Sequence, residues 1–499
     1  MSAIVDKYPK LLLAGILILY LVLAVACART LMPWADEEWF AGPALNLMTK
    51  GYMGTPVLDP TASWNTRDLT LVDRYTYWIM PLYPFSETLW FQIVPFGLFD
   101  SRMYSVCWGL AALLAWFAVM WKLSGDGRVA LLTVALLAID FTFTWSAAVG
   151  RMDMMCAALG MSGIAIFLWY REKNFALAVF VSHAFLAAAG LAHPTALGAL
   201  AALVALTVYY DRSRIRFSHV LLAAVPYLAG AACWGAYIAK NPALFWTQFK
   251  GDVSNRVLAG PLLEWLRMQT VERYLYMFGM APDTRGLSHI KIALLAIYVL
   301  GLAGAFSMRR IRDRQGYRAL LLLWAASTFT IAAVDKEIHH FYLLHFVMPL
   351  AAILAVWICC SWDSRAVPRW ALAGILGAFV TVQLAVVSSR IMQDPYHKSY
   401  LASTEFLKGR THPGDMIFGS GELAFQLGFD GQVVDDYRLG FRTGKRASFI
   451  VLDHNRYQEF IANLEKTEPE TYKYIQDMLR QQFQLVHSDN GYLIYARKI

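Results

Sequence analysis

Charge is what this sequence has least of. Of its 499 residues, 16% are Asp, Glu, Lys or Arg and 58% are hydrophobic, whereas a soluble chain carries about one quarter charged residues. The shortfall excludes a water-facing surface over much of the chain. Cysteine is also scarce. Cys27, Cys107, Cys156, Cys233, Cys359 and Cys360 all lie in or beside apolar segments, with no Cys-x-x-Cys or Cys/His spacing, which argues against disulfides and against a zinc site. There is no Gly-rich phosphate cradle, no Ser/His/Asp set legible by spacing, no internal repeat and no low-complexity segment. A cleavable leader is not evident either: Leu11 to Ala28 follows Lys7 and Lys10 without a small-residue cleavage site, so it reads as a retained signal-anchor. The formal charge of +8 does not point to nucleic acid, because the basic excess falls in short loops between apolar segments, as membrane topology requires.

What is present is a series of apolar runs, each near the roughly 20 residues that span a bilayer as a helix. About eleven qualify: 11–28, 101–123, 128–147, 151–170, 174–192, 194–210, 218–239, 288–308, 318–334, 341–361 and 368–390. Thr76 to Leu98 is apolar too, but Pro81, Pro84, Glu87 and Pro95 predict a broken or interfacial helix there. Arg212, Arg214 and Arg216 mark one loop, and Arg309, Arg310, Arg312, Arg314 and Arg318 another. The positive-inside bias puts both, with the amino terminus, in the cytoplasm. Alternation sends 29–100, 240–288, the "DKEIHH" loop and the carboxy-terminal tail to the outer side. The expected fold is a polytopic all-α membrane protein of about eleven transmembrane helices (1–393), followed by a small outer α/β domain (394–499). In that tail "GDMIFGS" and "SFIVLDH" read as buried strands, Asn455 to Gln482 as helix broken near Pro469, and "FQLVHSDNGYLIYAR" as a hairpin around Asp489-Asn490-Gly491.

The suspicious charges gather on the outer rim. "PWADEEWFAGPALNLMTKGYMGTP", Pro33 to Pro56, opens the first outer loop. Asp36 can cap a helix starting at Glu37, with Glu37 and Glu38 in its positive first turn and Trp34, Trp39 and Phe40 as an interfacial belt. Alternatively, one carboxylate at a dry interface is a general base for an acceptor hydroxyl or amine, and its neighbour positions a partner. Arg151 and Asp153 sit where the third span exits and the fourth enters. If helical they point about 200° apart and do not pair; each reads as a helix-end charge or as lining a polar cavity. Lys336 with His339 and His340 forms a cationic cluster suited to phosphate, or a solvated turn. His193, fixed by Pro194 at the outer end of the fifth span, is either a structural histidine or a substrate-binding candidate; His345 reads as a satisfied intramembrane histidine, and Arg74 is a further phosphate candidate among mixed loop charges.

These segments resemble the GT-C type membrane glycosyltransferases, in particular bacterial relatives of the protein O-mannosyltransferases and of the lipid A aminoarabinose transferase. One span precedes a large outer loop that opens on an acidic pair, here Asp36-Glu37. "PLYPFSETLWFQIVPFGLFDSRMYSVCWGLAALLAWFAVM" resembles the family's re-entrant stretch and second span, "GRMDMMCAALG" its fourth-span segment, and "GLAHPTALGAL" its fifth-to-sixth hairpin. The likeness covers roughly 10–390. It implies a sugar donor on a polyprenyl phosphate, used on the periplasmic face of a bacterial inner membrane with inversion, and a glycan, lipid or protein acceptor. It also implies Asp36 as base with Glu37 beside it, Arg151 and Asp153 in the fourth-span motif, and Lys336 and His340 in the place of a phosphate-binding loop. No cofactor is required, although the acids could hold a divalent cation. One departure stands out: the aminoarabinose branch has a Glu-Lys-Pro element late in the first loop, and "TYWIMPLYPF" has no charge before Pro81. The rival readings are a lipid-linked sugar flippase or transporter, which calls for midplane charges, and a glycan ligase or polymerase.

Overall fold

The computed structural model describes residues 8–59, 69–254, 262–281, 284, 286–334, 340–489 and 491–498. The chain is a polytopic helical membrane fold with a small carboxy-terminal sheet. Its long helices are α1 (Pro9–Thr30), α2 (Ala35–Lys50), α3 (Leu82–Phe91), α4 (Leu98–Ser124), α5 (Gly127–Ile139), α6 (Phe141–Ala147) and α7 (Met152–Tyr170). They continue as α8 (Phe175–Ala192), α9 (Ala196–Asp211), α10 (Phe217–Ile238), α11 (Ile292–Ser307), α12 (Gln315–Val334), α13 (Leu343–Ser364) and α14 (Arg369–Gln393).

Among the described residues nine helices are long and apolar enough to cross a membrane, or ten if the bent pair α5–α6 counts as one span. Helix α9, with 16 residues, completes the eleven apolar segments. Helices α7 and α13 form the centre of the bundle, 83% and 89% buried over their apolar windows, while α10 is 0% buried and presents its apolar face outward, as a lipid-facing helix does.

The segment expected as one span over 128–147 is instead broken by 66°. Asp140 causes the break. It is extended (φ −64°, ψ 127°), and its Oδ1 accepts the N–H groups of Thr142 and Phe143 at 2.8 and 3.0 Å, restarting the helix. Its Oδ2 accepts from Tyr298 at 2.9 Å and from Gln383 at 2.5 Å, so the buried carboxylate is fully satisfied. The bend re-aims α6 and carries Trp145 to the rim. The proline-rich stretch after Thr76 yields only the ten-residue α3, as the broken pattern predicts.

The tail builds a five-stranded sheet of order β2-β1-β3-β5-β4 from β1 (Ile417–Phe418), β2 (Val433–Val434), β3 (Phe449–Asp453), β4 (Phe483–Ser488) and β5 (Tyr492–Arg497). Strand β1 runs parallel to both β2 and β3, and β5 is antiparallel to β3 and β4. Helices Glu459–Thr467 and Pro469–Gln482 meet at Glu468, where the proline takes the first helical position at no hydrogen-bond cost. The tail packs on the first loop. Asp435 N–H donates to Val57 O at 2.8 Å, Leu58 bridges Asp435, and Phe96 packs on Phe425 and Phe429. Loop and tail thus form one layer over the rim where α1, α4, α6 and α14 end.

Candidate active site at the rim

The quoted acidic stretch turns helical two residues earlier than expected. Helix α2 starts at Ala35, so Asp36 lies inside the first turn and does not cap it; Glu37 Oε2 reaches back to the Trp34 N–H at 2.8 Å. Glu37 also forms a bidentate ion pair with Arg102, at 2.7 Å to Nε and 2.8 Å to Nη2, with both side chains fully buried. Arg102 gives its remaining N–H bonds to the carbonyls of Ala28, Leu31 and Met32 at 2.7, 3.0 and 3.3 Å. Glu37 Oε1 takes the Gly150 N–H at 2.9 Å as well. All five guanidinium donors and all four carboxylate acceptor positions are therefore filled. This one pair fixes the end of α1, the start of α2, the first turns of α4 and the turn before α7. It leaves Glu37 no open acceptor position.

Asp36 is different. Its Oδ2 meets Arg151 Nη1, its side chain is 17% exposed, and Oδ1 takes no hydrogen bond among the described residues. Arg151 is 3% exposed and also donates from Nε to Asp153 Oδ2 at 2.9 Å. The expectation that Arg151 and Asp153 would not pair is thus overturned. It assumed both were helical, but Arg151 is the extended residue before α7 (φ −135°, ψ 153°), and from there its side chain folds back over the first turn. The guanidinium lies 4.2 Å from the Phe341 ring centroid and 5.4 Å from that of Phe40. Trp39 and Phe40 are buried against Trp78 and Tyr83 rather than forming an interfacial belt, because the loop folds over them.

His193 caps α8 with its ring against Tyr342, the neighbour of Phe341. Its Nδ1 lies 2.7 Å from Thr195 Oγ1, which in turn lies 3.0 Å from His345 Nε2, so His345 is satisfied as expected. Arg74 stays apart: it is exposed, 3.9 Å from Asp73, with Tyr52 under its guanidinium. Lys336 and His339 lie outside the described residues. His340 opens a short turn to Tyr342, and its side chain lies outside them as well.

A cavity of about 550 Å³ adjoins this group. On the bundle side Trp34, Ala35, Trp145, Phe341, Arg390 and Lys398 line it; on the tail side Glu422, Asp453, Arg456 and Tyr492 do. An unbroken stack joins cavity and carboxylate. The Arg390 guanidinium sits 4.4 Å from the Trp145 ring, Trp145 lies 5.2 Å from Phe341, and Phe341 carries Arg151, which holds Asp36. Behind it Glu38 is fully buried between Gly42 and Gly421, and neither carboxylate oxygen finds a hydrogen-bond partner among the described residues. Burial, then Asp435 and Glu422, push its pKa well above the carboxylate range, against the pull of Arg456.

Sequence reasoning missed Arg390, Lys398, Arg456 and the buried tail acids. The only available signal was a basic residue ending the last span. Among the described residues no group of three or more His, Cys, Asp or Glu could hold a metal ion.

No protein-family model and no curated protein sequence matches the chain. Solved structures do. ArnT from Cupriavidus metallidurans bound to undecaprenyl phosphate is similar over 97% of each chain, with a TM-score of 0.62 at 13% identity. The oligosaccharyltransferase of Archaeoglobus fulgidus in its apo form is similar over 98% of this chain and 75% of its own, with a TM-score of 0.56 at 12% identity. The archaeal oligosaccharyltransferase AglB from Archaeoglobus fulgidus, in complex with an inhibitory peptide and a dolichol-phosphate, is similar over 98% of this chain and 75% of its own, with a TM-score of 0.55 at 13% identity. The chain therefore shares the fold of ArnT and of the archaeal oligosaccharyltransferase.

Proposed function

We propose that the chain is a glycosyltransferase that moves a sugar from a polyprenyl-phosphate-linked donor to a lipid, glycan or protein acceptor. It works on the periplasmic face of a bacterial inner membrane, with the amino terminus cytoplasmic and residues 394–499 on the same side as the site. The observation that carries this reading is Asp36: one oxygen is pinned by Arg151, while the other takes no hydrogen bond among the described residues and the side chain is 17% exposed. The solved neighbours, bound to undecaprenyl phosphate and to a dolichol-phosphate, support a lipid-phosphate donor.

The chemistry is a single displacement. Asp36 Oδ1 takes the proton as the acceptor oxygen or nitrogen attacks the anomeric carbon. The bond from that carbon to the phosphate oxygen breaks on the opposite face, and the phosphate leaves on its lipid with the electron pair, giving inversion. Lys336 and His340, with Arg151, stabilise the charge on the leaving group. Glu37 and Arg102 hold the base in place. No step is routed through a metal ion.

Mass spectrometry of envelope lipids, glycans and glycoproteins tests the reading. Cells without the chain should lack one sugar modification that wild type restores and Asp36→Asn does not. Unchanged products, or an intact lipid-linked sugar merely redistributed between leaflets, would overturn it, the second outcome in favour of a flippase.

A further inference from the structure

The transfer reading makes no use of Asp140, an acid buried at the 66° break between α5 and α6. An ionisable group inside a span is expensive and calls for a role. Its hydrogen-bond donors come from three places in the chain. The N–H groups of Thr142 and Phe143 belong to the first turn of α6, the Tyr298 hydroxyl to α11 and the Gln383 amide to α14. Gln383 completes the joint, because its Oε1 accepts the Phe141 N–H at 2.8 Å. Both ends of that amide are committed, so neither Gln383 nor Asp140 can turn without losing a bond. The joint ties the base of α6 to two other helices.

What α6 carries is the site. It rises about 10 Å and brings Trp145 to the cavity wall, against Phe341. The chain beyond it is tied step by step. Ala148 N–H donates to the carbonyls of Thr144 and Trp145, both at 3.0 Å, Gly150 N–H to Glu37 Oε1 at 2.9 Å, and Arg151 N–H to Val149 O at 2.8 Å. A Cβ on Gly150 would meet Ser101 Oγ at 2.5 Å, so this turn has no room to drift. The segment ends at Arg151, which holds Asp36. We propose that Asp140 is a positioning residue for the transfer: with Tyr298 and Gln383 it sets the angle at which α6 delivers Trp145 and Arg151 to Asp36. The inference rests on the transfer reading for what is positioned, while the joint itself is tested without turnover.

The test follows amide exchange of the full chain in phosphatidylcholine nanodiscs by mass spectrometry. Asp140→Asn sets an NH2 group against the Gln383 amide donor. Adding Gln383→Glu reverses that polarity, because the new carboxylate accepts from both the Phe141 N–H and the Asn amide. Exchange over 148–152 should be about tenfold faster or more in Asp140→Asn, with the centre of α7 unchanged. The double variant should regain most of the protection, which a general loss of packing would not allow. In cells, the product made by Asp140→Asn should fall about tenfold to a hundredfold, the scale on which a displaced group loses rate, and recover in part in the double variant. Unchanged exchange over 148–152, loosening spread evenly over the bundle, or wild-type product levels in Asp140→Asn would overturn the inference. Absence of product from wild type strikes the transfer reading instead, and the exchange result still decides the joint. Should Asp140→Asn fail to fold, Tyr298→Phe decides, because it removes a single donor: severalfold faster exchange over 148–152 supports the joint, and unchanged exchange sinks it.

Discussion

Glu37 and Arg102 are 65 residues apart and form a fully buried bidentate pair in which every donor and acceptor is filled. Asp36, one residue earlier, keeps one oxygen without a hydrogen bond among the described residues. Two adjacent acids thus divide into a sealed anchor and a partly exposed group at the rim, and the division follows from helix geometry: successive side chains point about 100° apart.

Removal of one partner strands the other charge in the interior. Glu37→Gln is expected to cost about 3–5 kcal/mol, read as a large drop in the thermal midpoint of the purified protein. A midpoint unchanged from wild type would show that the pair is not structural.

Asp36→Asn should change that midpoint far less, because Asp36 is at the rim and Arg151 keeps its ion pair with Asp153. Transfer should fall by about 10²–10⁴, the usual contribution of a positioned base. Single-turnover assays with donor and acceptor read the loss, and full activity would remove Asp36 as the base.

Arg151 touches Asp36, Asp153 and the Phe341 ring at once. Lysine keeps the charge but not the planar fork. Arg151→Lys should therefore fold and yet lose about tenfold to a hundredfold in turnover, with a smaller change in KM. Equal kinetics would mean that only the charge matters.

The tail contact should respond to pH. Burial raises Glu38 well above the carboxylate range, and raises Asp435 to about 6; Glu422 and Asp453 are raised for the same reason. Arg456 opposes all four from the centre. Acids raised in the docked state favour it while protonated, so stability is present at low pH. It is lost as pH climbs from the ordinary carboxylate range near 4 through those raised values. Amide exchange in β1 and β3, corrected for intrinsic rate, should be faster at pH 8 than at pH 5.5, and Glu38→Gln should reduce the difference. Equal protection at both values would sink this.

Much of the architecture was legible because lipid leaves little choice. A run of some twenty apolar residues has to satisfy its backbone internally, and only a helix does so within one segment. The broken stretch after Thr76 and the antiparallel pairing of β4 with β5 were equally legible, from proline chemistry and turn chemistry. Asp140 was not: one acid in an apolar run reads as tolerated until Tyr298 and Gln383 are seen converging on it. The pairing of Arg151 with Asp153 was misjudged because helix periodicity does not reveal which residue is the last extended one.

The sequence by itself determined that the chain is a membrane helix bundle with an α/β tail, since hydrophobic length, loop charge and turn residues are local quantities. Only the tertiary structure decided which acid is partly exposed and which is sealed, and that Arg390 at the end of one helix faces Glu422 and Asp453 of the tail across a single cavity. Those are distances between residues far apart in the chain, and they are set by the packing of whole helices against the tail rather than by any neighbouring residue.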